Sequence, residues 1–163
     1  MNSDLKNESG MTLVESLIAI VILMFGLLAM AQALAFSVIA SKTYGRDSGL
    51  ATAAAHDKME ELISLSFNDT VTNLTMNPPY ATNGSGLTAG GGVYPSTAVA
   101  GYSDCLTTAG SRTASLSDTA YTRQWQIINE SAASKRIIVS VRSNKSFRYG
   151  VAPSTTLITR KTP

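Results

Sequence analysis

The chain has 163 residues, a formal net charge of +2, one cysteine and one histidine. That length fits one domain plus an anchor. Cys105 alone excludes an intrachain disulfide, and a single His56 beside it removes most metal sites and most histidine-based catalysis. The charge is uneven: residues 1–67 hold four Lys/Arg against seven Asp/Glu, and residues 68–163 hold nine against four. Such asymmetry reads either as a scattered, solvated surface or as a binding face.

Residues 1–10 form a polar leader with one lysine and two acids. After Gly10-Met-Thr-Leu-Val-Glu15 comes Ser16–Ser41, a run of 26 residues without a charge. As a helix it spans roughly 39 Å, enough for a hydrocarbon core of about 30 Å. A secretory signal has a basic start, a short apolar core and a cut after that core. Here the run is too long for such a core, and the attractive cut lies before it, at Gly10. A signal anchor retained without cleavage is the alternative. Glu15 heads the run, where a carboxylate is costly in lipid. It either serves a purpose there or snorkels to the headgroup boundary.

Gly10-Met-Thr-Leu-Val-Glu15-Ser-Leu-Ile-Ala-Ile-Val-Ile-Leu resembles the class III signal of type IV pilins and type II secretion pseudopilins. That pattern is Gly, an apolar residue (usually Phe), Thr, Leu, an aliphatic residue, Glu and a long apolar run. Met11 stands where Phe is usual, and the leader lacks the usual basic excess. Lys42 and Arg46 beyond the run argue weakly against an N-in orientation, so that orientation rests on the resemblance. The resemblance implies cleavage between Gly10 and Met11 by a prepilin peptidase on the cytoplasmic side, then methylation of the Met11 amine. It also implies that Glu15 sits in lipid beside a neighbouring subunit's N-terminal amine and sets subunit register. A buried carboxylate needs a cation, and a cleaved N-terminus supplies one. Other pilin subunits, the peptidase and inner-membrane lipid are the implied partners. The implied locations are the bacterial inner membrane, single-pass and N-in, and then a surface pilus or a periplasmic pseudopilus.

Within the run, Gly26 is a lipid-tolerated glycine that in this family marks where the helix can melt on packing. Gln32 and Ser37 are mild polar breaks, and Ala31, Ala33 and Ala35 keep the surface small for close packing. The helix is expected to continue from Lys42 to Phe67, with Ala51, Ala55, Met59, Leu62 and Ile63 on one face. Asp47, Asp57, Lys58, Glu60 and Glu61 are expected largely off that face. Gly45-Arg-Asp-Ser-Gly49 is read as a flexible joint at the membrane exit. Residues 68–119 are turn-rich and read as a loop region, with Cys105 in it. Gly90-Gly-Gly92 is not a phosphate loop, because no Gly-Lys-Ser/Thr ending follows.

From Ala120 the period becomes two. Tyr121, Arg123, Trp125 and Ile127 share one face, and Trp125 reads as core. After a break at 129–134, Ile137, Val139 and Val141 share a face, with Arg136, Ser140 and Arg142 opposite. Phe147–Tyr149 and Thr155–Thr159 offer two more strands. A hairpin or meander with one apolar face results, and packing it on the helix gives an α+β, pilin-like fold. The Trp-centred strand and Lys135-Arg-Ile-Ile-Val-Ser-Val141 also resemble the C-terminal part of PilV-type minor pilins. The expected division is a leader (1–10), a transmembrane half-helix (11–41), an amphipathic half-helix (42–67), a variable region (68–119) and a sheet (120–163). Arg136, Arg142, Lys145 and Arg148 could serve nucleic acid or acidic lipid if they shared a face. No nucleophile–base pairing stands out, so the expectation is no catalytic residue, metal or cofactor, and a structural subunit rather than an enzyme.

Overall fold

The computed structural model describes residues 12–73, 85–113, 115, 117–145 and 151–163. The chain divides into two compact units, Met1–Thr43 and Tyr44–Pro163. One helix, α1 (Leu13–Ser64), contributes to both and runs without a break. In the first unit its large apolar side chains, from Leu13 to Ile39, are exposed to the surroundings. It is long and apolar enough to cross a membrane, and none of its most apolar window is buried.

The second unit packs the 44–64 portion of α1 on a five-stranded antiparallel sheet. The strands are β1 (Gly90–Gly91), β2 (Ser103–Leu106), β3 (Tyr121–Ser131), β4 (Ser134–Ser143) and β5 (Ser154–Lys161). β3, β4 and β5 lie side by side, with Trp125 opposite Val139 and Val139 opposite Leu157. β1 and β2 share the other edge of β3: Gly91 pairs with Gln126, and Ser103–Leu106 pair with Gln124–Tyr121. Alternation along β3 and β4 turns Tyr121, Trp125, Ile127, Ile137, Val139 and Val141 onto one face. These bury against Ala51, Ala54, Ala55, Met59 and Leu62 of α1. The alanines let the helix backbone approach the sheet, and each fully buried large aliphatic chain contributes about 1.5–3 kcal/mol.

The expected α+β architecture and the two apolar strand faces are present. Several details differ. The helix ends at Ser64 rather than Phe67, where the Ser64 hydroxyl turns back on the Glu61 carbonyl at 2.8 Å. Lys161 donates to the carbonyl of Ile63, a cation at the negative end of the helix. Gly45 and Gly49 lie within α1, just past the boundary between the two units at Thr43 and Tyr44. Ile63, placed on the apolar face by spacing, is 44% exposed. The 129–134 break narrows to a turn at Ala132-Ala133, with a register shift between Asn129 and Ser131. The 68–119 region contributes β1 and β2, and Cys105 is a buried strand residue rather than a loop residue. Gly91 has φ +82, and a Cβ there would strike the Trp125 carbonyl and the Tyr102 ring, so this edge pairing requires glycine. Phe147–Tyr149 lies outside the described residues.

Candidate functional site

The head of α1 is built by Thr12. Its hydroxyl accepts from the Glu15 amide at 3.3 Å, and its carbonyl accepts the first helical bond from Ser16 at 3.1 Å. Thr12-x-x-Glu15 is thus an N-cap with an acid at its third position, at the positive end of the helix. Neither residue's capping role was inferred from the sequence, although Thr-x-x-Glu before an apolar run is a recognised start signal. Glu15 is exposed in the first turn, where its carboxylate is available to a cation. Gly10 and Met11 lie outside the described residues.

Behind Glu15 the helix is prepared for an apolar solvent. Polar groups in lipid must be satisfied internally. The Ser37 hydroxyl donates to the Leu34 carbonyl at 2.9 Å, and the Thr43 hydroxyl to the Ile39 carbonyl at 3.0 Å. At Gly26, apart from its chain neighbours and the helix's own backbone, no atom stands within 4 Å of where a Cβ would be.

In the second unit, buried ion pairs join the apolar core where the helix meets the sheet. Asp104 of β2 is 2% exposed and receives Arg123 of β3 through two bonds of 2.7 and 2.6 Å. Lys58 of α1 is 0% exposed, with its ammonium 3.0 Å from Glu61, 3.5 Å from Asp104 and 4.0 Å from the centre of the Trp125 ring. Arg112 closes the cluster by pairing with Glu61 and reaching Asp104 at 3.6 Å. Arg123 also reaches the carbonyl of Ala54 at 3.4 Å. Burial lowers the Lys58 pKa to about 8, against the pull of Asp104 and Glu61. Burial pushes the Glu61 carboxyl up, but the Arg112 bond and the Lys58 charge bring it below its ordinary value.

A second pair lies nearer the N-terminal end of the 44–64 portion of α1. Asp47 of α1 is buried and accepts from the Tyr121 hydroxyl at 3.0 Å and from Lys145 at 2.7 Å. Burial raises the Asp47 carboxyl; the Lys145 and Tyr121 bonds and the Lys145 charge outweigh it and hold it below the ordinary range. Asp47, Lys58 and Glu61 were expected off the buried face. Asp47 and Lys58 are instead buried and Glu61 partly so: Asp47 lies four residues before Ala51 and Lys58 seven after it, on the stripe itself, and Lys145, Asp104 and Arg112 bring the three their opposite charges from distant sequence.

These contacts account for much of the basic C-terminal half. Lys135 donates to the carbonyls of Phe67 and Leu87 at 2.7 and 2.9 Å. Arg136 and Arg160 share Glu130 at 3.4 and 2.7 Å. Lys145 is held by Asp47, and Arg148 lies outside the described residues. Among the described residues, no group of three or more His, Cys, Asp or Glu could hold a metal ion.

A long apolar helix headed by a capped glutamate and packed, farther along, on a small antiparallel sheet is an α+β, pilin-like fold. Residues 5–31 match the prokaryotic N-terminal methylation motif. The motif supports a type IV pilin-like or pseudopilin precursor, processed by a prepilin peptidase and assembled with other pilins. With the apolar helix, it supports membrane anchoring and pilus assembly. No curated protein and no solved structure matches the chain.

Proposed function

We propose that the chain is a minor type IV pilin, a structural subunit that takes part in pilus assembly or initiation and performs no catalysis. Glu15 carries this reading: an exposed carboxylate in the first turn of a helix whose next 26 residues are uncharged. In lipid such a group demands a cation, and the amine of a neighbour's cleaved N-terminus is the cation that assembly would supply. The mechanism has three parts. Cleavage between Gly10 and Met11, followed by methylation of Met11, frees the amine. Glu15 of one subunit pairs with the amine of the next and fixes register. The apolar helix then packs among others while the sheet unit is displayed on the outer side of a single-pass, N-in anchor in the inner membrane.

The Trp125-centred β3 and the Lys135–Val141 strand favour a PilV-type subunit within this class. A minor pseudopilin of a type II secretion system uses the same signal, and recovery from sheared surface fibres separates the two. The decisive experiment is mass spectrometry of the protein from its native membrane. The expected N-terminus is N-methylated Met11, and an intact Met1 with the peptidase present overturns the proposal. Glu15→Ala should be cleaved normally yet fail to enter the filament. Wild-type incorporation of that variant would remove the pairing role.

A further inference from the structure

One face of the 44–64 portion of α1 packs on nothing among the described residues. Arg46, Gly49, Ala53, Asp57, Glu60 and Ile63 are all exposed and recur at steps of three and four, so they form one stripe, opposite the buried stripe that meets the sheet. Charge is sorted along it. Lys42 and Arg46 stand about one turn apart at one end, and Asp57 and Glu60 stand together at the other. Like charges at these spacings repel within a helix, so the sorting does nothing for α1 itself. Asp57 and Glu60 make no ion pair among the described residues. Arg46 adjoins Asp47, but that carboxylate is already bonded to Lys145 and Tyr121.

The spacings along this stripe coincide. Glu60 follows Arg46 by 14 residues, Ile63 follows Gly49 by 14, and Asp57 follows Lys42 by 15. Two heptads make the same interval, the repeat at which parallel helices crossing at about 20° keep the same faces together. One shift of about 21 Å along the helix axis therefore sets three matches between two copies. The Arg46 guanidinium of one meets the Glu60 carboxylate of the other, Lys42 meets Asp57, and Ile63 seats at Gly49. Ile63 is apolar yet exposed. The surface at Gly49 is open: beyond its chain neighbours and the helix's own backbone, no atom stands within 4 Å of where a Cβ would be. Lipid headgroups would satisfy Lys42 and Arg46 alone and leave both acids and Ile63 unmatched.

We propose that this stripe is a contact between copies of the chain, lying parallel and staggered by two heptads. It rests on the assembly role proposed above and names a surface that carries it. The contact is heterologous: the basic end of one copy meets the acidic end of the next, and no second, equivalent contact closes the pair. Exposed ion pairs are individually weak. The contact therefore forms where membrane anchors hold copies parallel and raise their local concentration.

The test is disulfide trapping of full-length chains in their native membrane. Chains carrying Gly49→Cys and chains carrying Ile63→Cys are co-expressed and oxidised with copper–phenanthroline. A disulfide-linked dimer should form from the mixture and from neither variant alone. The wild-type chain is the blank, since Cys105 is buried. Adding Arg46→Glu to the Gly49→Cys chain should lower the dimer yield about fivefold or more, and adding Glu60→Arg to the Ile63→Cys chain as well should restore it. Three results overturn the contact: no dimer from the mixture, an equal dimer yield from one variant alone, or a charge exchange that restores nothing. N-terminal mass spectrometry of the same membranes separates this contact from the role beneath it. A dimer from chains with an intact Met1 keeps the contact and removes the assembly role. Processed chains without a dimer do the reverse, and unprocessed chains without a dimer remove both.

Discussion

The two stretches of α1 obey opposite rules. Between Ser16 and Ser41 the helix has no charge, and its large side chains are exposed. Between Tyr44 and Ser64 it carries six charged residues, and two of them, Asp47 and Lys58, are among its most buried. Hydropathy therefore misreports burial along the first stretch and, in the second, at Asp47 and Lys58, while Ala51, Ala54, Ala55, Met59 and Leu62 bury as it expects. The first stretch is built for an apolar surrounding, lipid or other helices. The second meets its own sheet through an apolar seam, with buried ion pairs set into it. A Lys58–Glu61–Asp104–Arg112–Arg123 cluster tolerates burial because each charge faces an opposite one; an unpaired ion in that position would not survive.

The sharpest way to break this contrast is to remove one buried partner. Asp104→Ala leaves Arg123 and Lys58 enclosed with excess positive charge. It should destabilise the sheet unit by about 3–5 kcal/mol. Trp125 is the sole tryptophan and sits in the core, so its fluorescence during denaturant unfolding reports the change. Leu23→Ala, on the bare stretch, should leave the same transition in place. If the two variants shift the midpoint equally, the division between the stretches fails.

Asp47→Asn comes next. It keeps the shape but weakens the bonds from Tyr121 and Lys145, and it should cost about 1.5–3 kcal/mol, as for hydrogen bonds to a charged group. The carboxyls of Asp47 and Glu61 are held below their ordinary values in the fold. Their stabilisation is complete above the unfolded carboxyl range near pH 4. It disappears as pH falls through the lower folded values. The acid limb of unfolding should therefore be shallower in Asp47→Asn than in the wild type. Superimposable acid limbs would show that Asp47 does not carry this dependence.

Much of this molecule is legible in its sequence, for physical reasons that differ by element. A charge-free run of that length and the period-two strands around Trp125 and Val139 are one-dimensional patterns, and they fixed the helix and the sheet. The buried Lys58 could not be read, because its partner Asp104 is 46 positions away in a stretch that reads as loop. Local spacing puts Lys58 on the apolar stripe, three residues after Ala55 and four before Leu62; its charge argues against burial there, and only the pairing of β2 with β3 brings Asp104 to it. β1 was hidden because Gly90-Gly91 has no side chains to alternate. The Thr12 cap could have been found, since Thr-x-x-Glu ahead of an apolar run is itself a start signal. The role of Thr12 in holding the Glu15 amide is local, unlike the ion cluster.

The smallest expected effect is also the most discriminating. Lys58→Met removes one of three cations from a cluster with two acids, leaving Arg112 and Arg123 opposite Glu61 and Asp104. No buried charge is orphaned, the chain volume is similar, and Met retains contact with the Trp125 ring where the ammonium sat. The expected change at pH 7 is within about 1 kcal/mol, far below Asp104→Ala, since replacing a buried ion by an apolar chain is often neutral or better. The alkaline side adds a second reading. The folded Lys58 pKa of about 8 is below the ordinary 10.5, so between those values the unfolded chain holds more protons than the folded one. Stability from this group therefore rises with pH across that window. Lys145, whose pKa is raised by the Asp47 bond, acts oppositely and loses its contribution above 10.5. Tyr102, Cys105 and Tyr121, all raised chiefly by burial, also lose stability at alkaline pH. Only the difference between wild type and Lys58→Met isolates the lysine. The wild type should gain on the variant from pH 8 to pH 10, measured as the gap between their unfolding midpoints. A gap constant with pH would mean that Lys58 stays charged at no cost, and that the ion cluster, unlike the bare helix, is indifferent to its surroundings.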